Sequence, residues 1–138
     1  MIKDENSLTD LTDQGNHTDQ SNYIDKIGRE SEKSKVHTIV KIIGYVPNAV
    51  VSKTIIKKTT GNVTISSFGA GEELAVKTSP FDNYIQIIDG TAEVMINEKK
   101  YKLKLGEGII IPAHSTHCFN ANEQFKMIST VIKSGYED

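Results

Sequence analysis

Short runs of apolar, often β-branched residues alternate with turn-forming residues at close spacing from Val36 onward. This spacing is typical of an all-β sandwich or barrel, and no stretch repeats its apolar residues with the period of a helix. The pattern therefore predicts one all-β domain over residues 36–138. We expect its strands at residues 37–43, 50–57, 62–68, 73–77, 84–89, 92–97, 100–103, 108–111, 116–120 and 125–133.

Two turns in this pattern carry a stronger prediction. Asp89-Gly90 supplies the residue with positive φ that a tight hairpin needs, so we expect strands 84–89 and 92–97 to pair antiparallel. Asn97-Glu98 should make the next reversal. Alternation then predicts one buried and one exposed face. The buried set is Ala92, Val94, Ile96, Tyr101 and Leu103, and the exposed set is Glu93, Met95, Lys100, Lys102 and Lys104.

Residues 1–35 differ from the rest of the chain. They are rich in Asp, Asn, Ser, Thr and Gln, and they carry eight acidic and five basic residues, against ten and eleven in residues 36–138. A segment with so few apolar side chains cannot bury a core of its own. We expect a polar N-terminal arm that is flexible or lies over the surface, with one helical turn over residues 23–27.

Charge and composition narrow the classes of partner. The formal net charge is −2 and the basic residues are scattered, which disfavours nucleic acid and anionic membranes. The longest apolar runs are far shorter than the roughly 20 residues that span a bilayer. The first residues do not resemble a secretory signal, and Cys118 has no second cysteine to pair with, so a cytoplasmic location is expected.

Residues 71–121 resemble the two motifs of the cupin superfamily, in spacing more than in ligand identity. The positions of the first motif are taken by Gly71, Lys77-Thr78-Ser79, Asn83 and Gly90, and those of the second by Gly106, Pro112, His114, His117 and Ala121. Residues 77–82, Lys-Thr-Ser-Pro-Phe-Asp, are also similar to small bacterial cupins that read His-Thr-Ala-Pro-Phe-Asp. The resemblance implies a small single-domain, type-2 cupin with a jelly-roll, RmlC-like antiparallel β-barrel.

The same resemblance implies a metal site that this chain has largely lost. Metal-binding cupins use two His and one Glu of the first motif and one His of the second, and only His117 remains here. Lys77 offers an ammonium without a lone pair, Ser79 a neutral hydroxyl and Asn83 an uncharged amide. We therefore expect no cofactor. A divalent metal would need His114 beside His117 with water or another carboxylate, and alternation sends these two side chains to opposite faces.

What remains is a predicted pocket inside the barrel. The ligand-binding candidates are Lys77, Ser79, Asn83, His117 and Phe119, with Ile85, Ile87 and Met127 as apolar walls. His117 is the best candidate for a catalytic residue, since its pKa suits proton transfer, but it could equally be an interior His with a hydrogen-bond partner. Lys77 could bind a carboxylate or simply reach water, and Ser79 and Asn83 could satisfy backbone groups. Cys118 should point to the other face from His117 and serve packing.

Three functions fit these residues. The first is a metal-free barrel that binds or senses a small organic molecule, either anionic or uncharged, or that only supports a dimer. The second is an enzyme, either an isomerase or lyase that uses His117 as acid and base, or an atypical metal-dependent oxygenase. The third is a barrel filled by its own side chains. The resemblance also implies a homodimer, with residues 36–43 as the segment expected to cross between subunits.

Overall fold

The computed structural model describes residues 23–26 and 30–136. Strands dominate this part of the chain, and one 3₁₀ turn, Ile39–Lys41, is present. The described residues contain no helix long and apolar enough to cross a membrane. The strands are β1 (Tyr23–Lys26), β2 (Val50–Lys58), β3 (Gly61–Phe68), β4 (Glu73–Thr78), β5 (Asp82–Gly90), β6 (Ala92–Ile96), β7 (Lys99–Leu103), β8 (Gly108–Ile111), β9 (Thr116–Asn120) and β10 (Phe125–Ile132).

The strands form two sheets, a six-stranded sheet in the order β1-β2-β3-β10-β5-β8 and a four-stranded sheet in the order β4-β9-β6-β7. The main core lies between them. Phe68 and Phe125 are fully buried there and their rings stack at 4.4 Å, while Phe119 of the four-stranded sheet meets Phe68 at 5.9 Å. A fully buried side chain of this size stabilises the fold by roughly 1.5–3 kcal/mol. The predicted all-β class is confirmed.

Strand β6 shows the predicted alternation most clearly. Ala92, Val94 and Ile96 are buried, and Glu93 and Met95 lie on the other face. The reversal at Asn97-Glu98 is confirmed as well, because both residues have positive φ and β6 pairs antiparallel with β7. Two consecutive left-handed residues give the turn whose twist matches a two-residue hairpin.

The hairpin predicted at Asp89-Gly90 is wrong. Gly90 does have a positive φ, and a Cβ on it would collide with the carbonyl oxygen of Gln124. However, β5 pairs with β10 and β8, whereas β6 pairs with β7 and β9. The glycine therefore turns the chain from one sheet into the other. The apolar faces of β5 and β6 meet across the core. Two strands that face each other from different sheets show the same alternation of apolar and polar residues as two strands paired in one sheet.

The strand predicted over residues 37–43 is also wrong. This stretch contains the 3₁₀ turn, and Ile39, Ile42 and Ile43 pack on the outer face of the six-stranded sheet in a second apolar cluster with Val51 and Ile65. An apolar run can bury itself by covering a sheet as well as by joining one, and the sequence pattern does not separate these outcomes. The homodimer, for which this stretch was the expected crossing segment, stays a prediction.

The side chain of Lys126 connects residues 39–43 to the six-stranded sheet. Its side chain is buried on the outer face, where Nζ donates a hydrogen bond to the carbonyl oxygen of Val40 and lies over the ring of Tyr45 at 4.8 Å. The hydroxyl of Tyr45 donates in turn to the carboxylate of Asp89. Burial and this hydrogen bond to Asp89 raise the pKa of Tyr45.

The N-terminal arm is in part joined to the barrel. Residues 23–26 form β1, which pairs parallel with β2, so the helical turn predicted over residues 23–27 is wrong wherever the structure describes it. The next described residues continue along the same edge, since Ser31 N donates to Ile55 O and the Glu30 carboxylate accepts from Lys57 N. A sheet edge with free backbone groups holds a polar segment without needing apolar side chains. Residues 1–22 and 27–29 lie outside the described part.

Candidate functional site

Strands β4 and β9 place Lys77 beside His117 at one end of the barrel. The two residues are partners in the antiparallel ladder, reached after a register shift between Leu74 and Lys77. On its other side His117 pairs with Ile96 of β6, whose side chain belongs to the core. Lys77 is exposed and His117 is half-buried. We call this end of the barrel, around Lys77 and His117, the mouth of the barrel.

Two loops at the mouth are bonded to each other. His114 N donates to Ser79 O at 2.6 Å, and Ala113 N donates to Asp82 Oδ1 at 2.8 Å. His114 has a positive φ, which explains why a glycine suits that motif position, and its side chain is exposed. The hydroxyl of Ser79 accepts a hydrogen bond from Phe81 N at 3.2 Å. Ser79 thus serves its own turn, one of the two roles expected for it.

The imidazole of His117 lies between water and the core. Its ring meets Phe119 edge-on with centroids 5.9 Å apart, and its Nδ1 is buried without a hydrogen-bond partner in the described part of the chain. Burial lowers the pKa of His117, and the Lys77 ammonium lowers it further, while the nearby Ser115 carbonyl opposes the change without completing a hydrogen bond to Nδ1. The ring is therefore neutral at pH 7.

Asn83 lies on the opposite sheet. It shares the inward face of β5 with Ile85 and Ile87, and its Oδ1 accepts a hydrogen bond from the Ser129 hydroxyl at 2.7 Å. The register of β2, β3 and β10 brings further hydroxyls to this inner face, among them the Ser52–Ser66 pair at 2.7 Å.

We call these residues, Asn83, Ser129, Thr64, Ser66 and Ser52, the inner polar row. Sequence reasoning included only Asn83. The signal that could have found the other residues lies in β2 and β3. In each of these strands every second residue lies on the same face, which gives Val50, Ser52 and Thr54 in β2 and Phe68, Ser66 and Thr64 in β3. In each strand a large apolar residue shares its face with two small hydroxyl residues, which indicates an inner face that changes from apolar to polar along the strand.

The remaining candidate residues lie in the core or on the outer face of the four-stranded sheet. Phe119 is 3 % exposed and packs between His117 and Phe68, so it closes the inner side of the mouth. Ile85, Ile87 and Met127 are buried in the main core. Cys118 pairs with Met95 on the outer face of the four-stranded sheet, which confirms that it points away from His117.

The side chains at the mouth do not fit a transition metal. Beside the one imidazole lie the Lys77 ammonium, the Ser79 hydroxyl that its own turn uses, and the exposed His114 of the neighbouring loop. Among the described residues no group of three or more His, Cys, Asp or Glu side chains could hold an ion. A divalent transition metal needs three or four N, O or S donors from the protein, and a neighbouring ammonium repels it.

Several solved structures share this architecture. A conserved protein of unknown function from Streptococcus pyogenes is 28% identical, with 82% of this chain and 96% of that chain covered and a TM-score of 0.72. A cupin superfamily protein from Desulfitobacterium hafniense is 20% identical over 77% of this chain and 97% of its own, with a TM-score of 0.71.

A cupin 2 conserved barrel domain protein from Leptotrichia buccalis is 29% identical, with a TM-score of 0.66. That match covers 68% of this chain and 46% of the other, so it corresponds to about half of the longer protein. No family model matches the chain, and no curated protein matches it. The neighbours therefore identify an architecture without assigning an activity.

Proposed function

We propose that this chain, which shares the barrel fold of cupin superfamily proteins, binds or senses a small organic molecule at the mouth of its barrel without a metal ion. One observation carries the proposal. Lys77 is the ladder partner of His117, so an ammonium occupies a position at which metal-binding cupins have an imidazole. A cation at that point repels a metal and attracts an anionic ligand.

The state of His117 supports a ligand site there. A buried nitrogen without a hydrogen-bond partner costs the fold roughly 1–3 kcal/mol, and Nδ1 of His117 is such a nitrogen among the described residues. The exposed side of the same ring is open to a polar ligand. Two hydrogen bonds also join the loops on either side of the mouth.

Acid–base catalysis by His117 is the second candidate. The lowered pKa keeps the imidazole neutral near pH 7, so it could accept a proton from a bound substrate. The binding proposal is preferred because Cys118, the one thiol of the chain, faces away from the ring, and no carboxylate orients the ring within the described residues. A cytoplasmic homodimer remains the expected context.

Thermal unfolding of untagged protein in excess EDTA tests the proposal. The probes are organic acids (lactate, malate, benzoate), neutral sugars (glucose, ribose) and nicotinamide, each also tried with Mn²⁺, Ni²⁺ or Zn²⁺ in place of EDTA. We expect at least one probe to raise Tm in EDTA. His117→Ala should abolish this rise and His37→Ala, an exposed histidine outside the barrel, should leave it unchanged.

Stabilisation that requires a metal, or that survives His117→Ala, would contradict the proposal. So would the absence of any rise in Tm with all six probes. If a probe is also converted to a product, a loss of turnover by orders of magnitude in His117→Ala would favour the enzyme instead.

A further inference from the structure

The mouth carries one uncompensated positive charge. Lys77 forms no ion pair within residues 23–26 and 30–136, and, after burial, its charge is a further cause of the lowered pKa of His117. Lys126 is the one buried charged side chain among the described residues, and it lies on the outer face of the other sheet. Among the described residues, an anionic group of a ligand therefore has a cationic partner at the mouth and none in the interior of the barrel.

The interior offers uncharged hydrogen-bonding groups instead. The Ser129 hydroxyl donates to Oδ1 of Asn83, so the other end of the amide is its NH₂ group. That NH₂ donates to no protein group in the described residues. Two amide donors on the inward face of β5 suit a hydroxyl or carbonyl oxygen. A second carboxylate there would be a buried charge without a counterion, which is strongly unfavourable.

We propose that the ligand is an organic monocarboxylate that also carries a hydroxyl or carbonyl group. Its carboxylate is held by Lys77, and its uncharged oxygen accepts from the amide of Asn83 beside Ser129. His117 is the ladder partner of Lys77, so a carboxylate held by Lys77 lies beside the imidazole. The inference rests on the proposed metal-independent binding at the mouth and adds the chemical class of the ligand.

Two matched series of probes separate the contributions of the charge and of the uncharged oxygen. The first is lactate, propionate and lactamide, and the second, which adds a ring for the apolar wall at Phe119, is mandelate, phenylacetate and mandelamide. Affinities are measured in EDTA from the NMR shifts of the His117 imidazole. The hydroxy acid of the better series should bind roughly three- to tenfold more tightly than its deoxy acid, as one neutral hydrogen bond provides. It should also bind roughly two- to fivefold more tightly than its amide, because the amide lacks the charge and the ion pair with the exposed Lys77 is screened by water.

Variants assign each preference to a residue. Lys77→Met should give the acid and its amide similar affinity, and Asn83→Ala should give the hydroxy acid and its deoxy acid similar affinity. Lys102→Met removes an exposed lysine of β7 in the same sheet and should change neither preference.

The ligand class and the proposed function are contradicted by different results. Amides that bind as tightly as acids, with shifts still at His117, would overturn the ligand class and leave a metal-free binding barrel. The ligand class would also be wrong if Lys77→Met keeps the full preference for the acid. A failure of all six probes to shift the His117 resonances would contradict the ligand class and the proposed function together.

Discussion

Three substitutions should return a metal site to this barrel. Lys77→His, Ser79→His and Asn83→Glu together place two imidazoles and one carboxylate at the motif positions around His117. If the chain has kept the frame of a metal-binding cupin and lost only its ligands, this triple variant should bind Mn²⁺, Ni²⁺ or Zn²⁺, and the parent should not.

The structure sets the size of the effect. The triple variant loses the Ser79 bond to Phe81 N and the Ser129 bond to Asn83 Oδ1. At about 0.5–1.5 kcal/mol each, these losses make the metal-free variant about 1–3 kcal/mol less stable than the parent. Metal at a hundred times its Kd restores about 2.7 kcal/mol. For a chain of this size that gain corresponds to a rise in Tm of roughly 8–12 °C.

Thermal unfolding in EDTA and in each metal salt measures the effect, with circular dichroism to establish that the variant is folded. Equilibrium dialysis then gives the number of ions bound per chain. A folded variant with no metal-dependent rise in Tm would show that positions 77, 79 and 83 do not converge on His117, and the prediction would be wrong. An equal rise in the parent would also make it wrong, since the present residues would then already hold the ion.

Three further outcomes are expected. Lys77→Met should raise the pKa of His117, because it removes a like charge, and an unchanged pKa in an imidazole NMR titration would show that the ammonium does not reach the ring. The depressed pKa of His117 means that the unfolded chain binds the proton more readily, so this part of the stability is complete above about pH 6.5 and is lost as the pH falls below it. His117→Gln should flatten that part of a urea-midpoint profile against pH, and an identical profile would count against a buried neutral ring. Phe125→Ala should cost about 3–5 kcal/mol, because the side chain is fully buried and stacked on Phe68, and a loss below about 1 kcal/mol would contradict this packing.

From β2 onward the strands lie close to the positions predicted from the sequence, whereas of the two predicted hairpins only β6 with β7 formed. Period-two alternation is a local signal, and it located β8 and β9 to the residue. Pairing depends on where a turn sends the next strand. At Asn97-Glu98 the turn closes a hairpin, whereas at Gly90 the chain crosses to the other sheet, although both turns contain residues that accept a positive φ. Only the packing of two sheets distinguishes them.

The mouth could be predicted because the motif spacing fixes Lys77 and His117 relative to the frame. The inner polar row could not be predicted from the motifs, because Ser129 comes from β10 and Ser52 from β2, and neither strand belongs to a motif. The relation between Asn83 and Ser129 spans 46 positions of sequence and exists only after β5 and β10 pair. Ligand contacts that depend on such pairings are invisible in the alternation of a single strand.

The metal content of the protein decides whether this barrel works without an ion. Elemental analysis is performed on protein prepared without chelators and without a metal-affinity tag, alongside His117→Ala prepared in the same way. We expect Fe, Mn, Zn, Cu and Ni far below one ion per chain in both samples, with no difference between them. A near-stoichiometric ion in the parent that His117→Ala loses would mean that the barrel is a metal site after all.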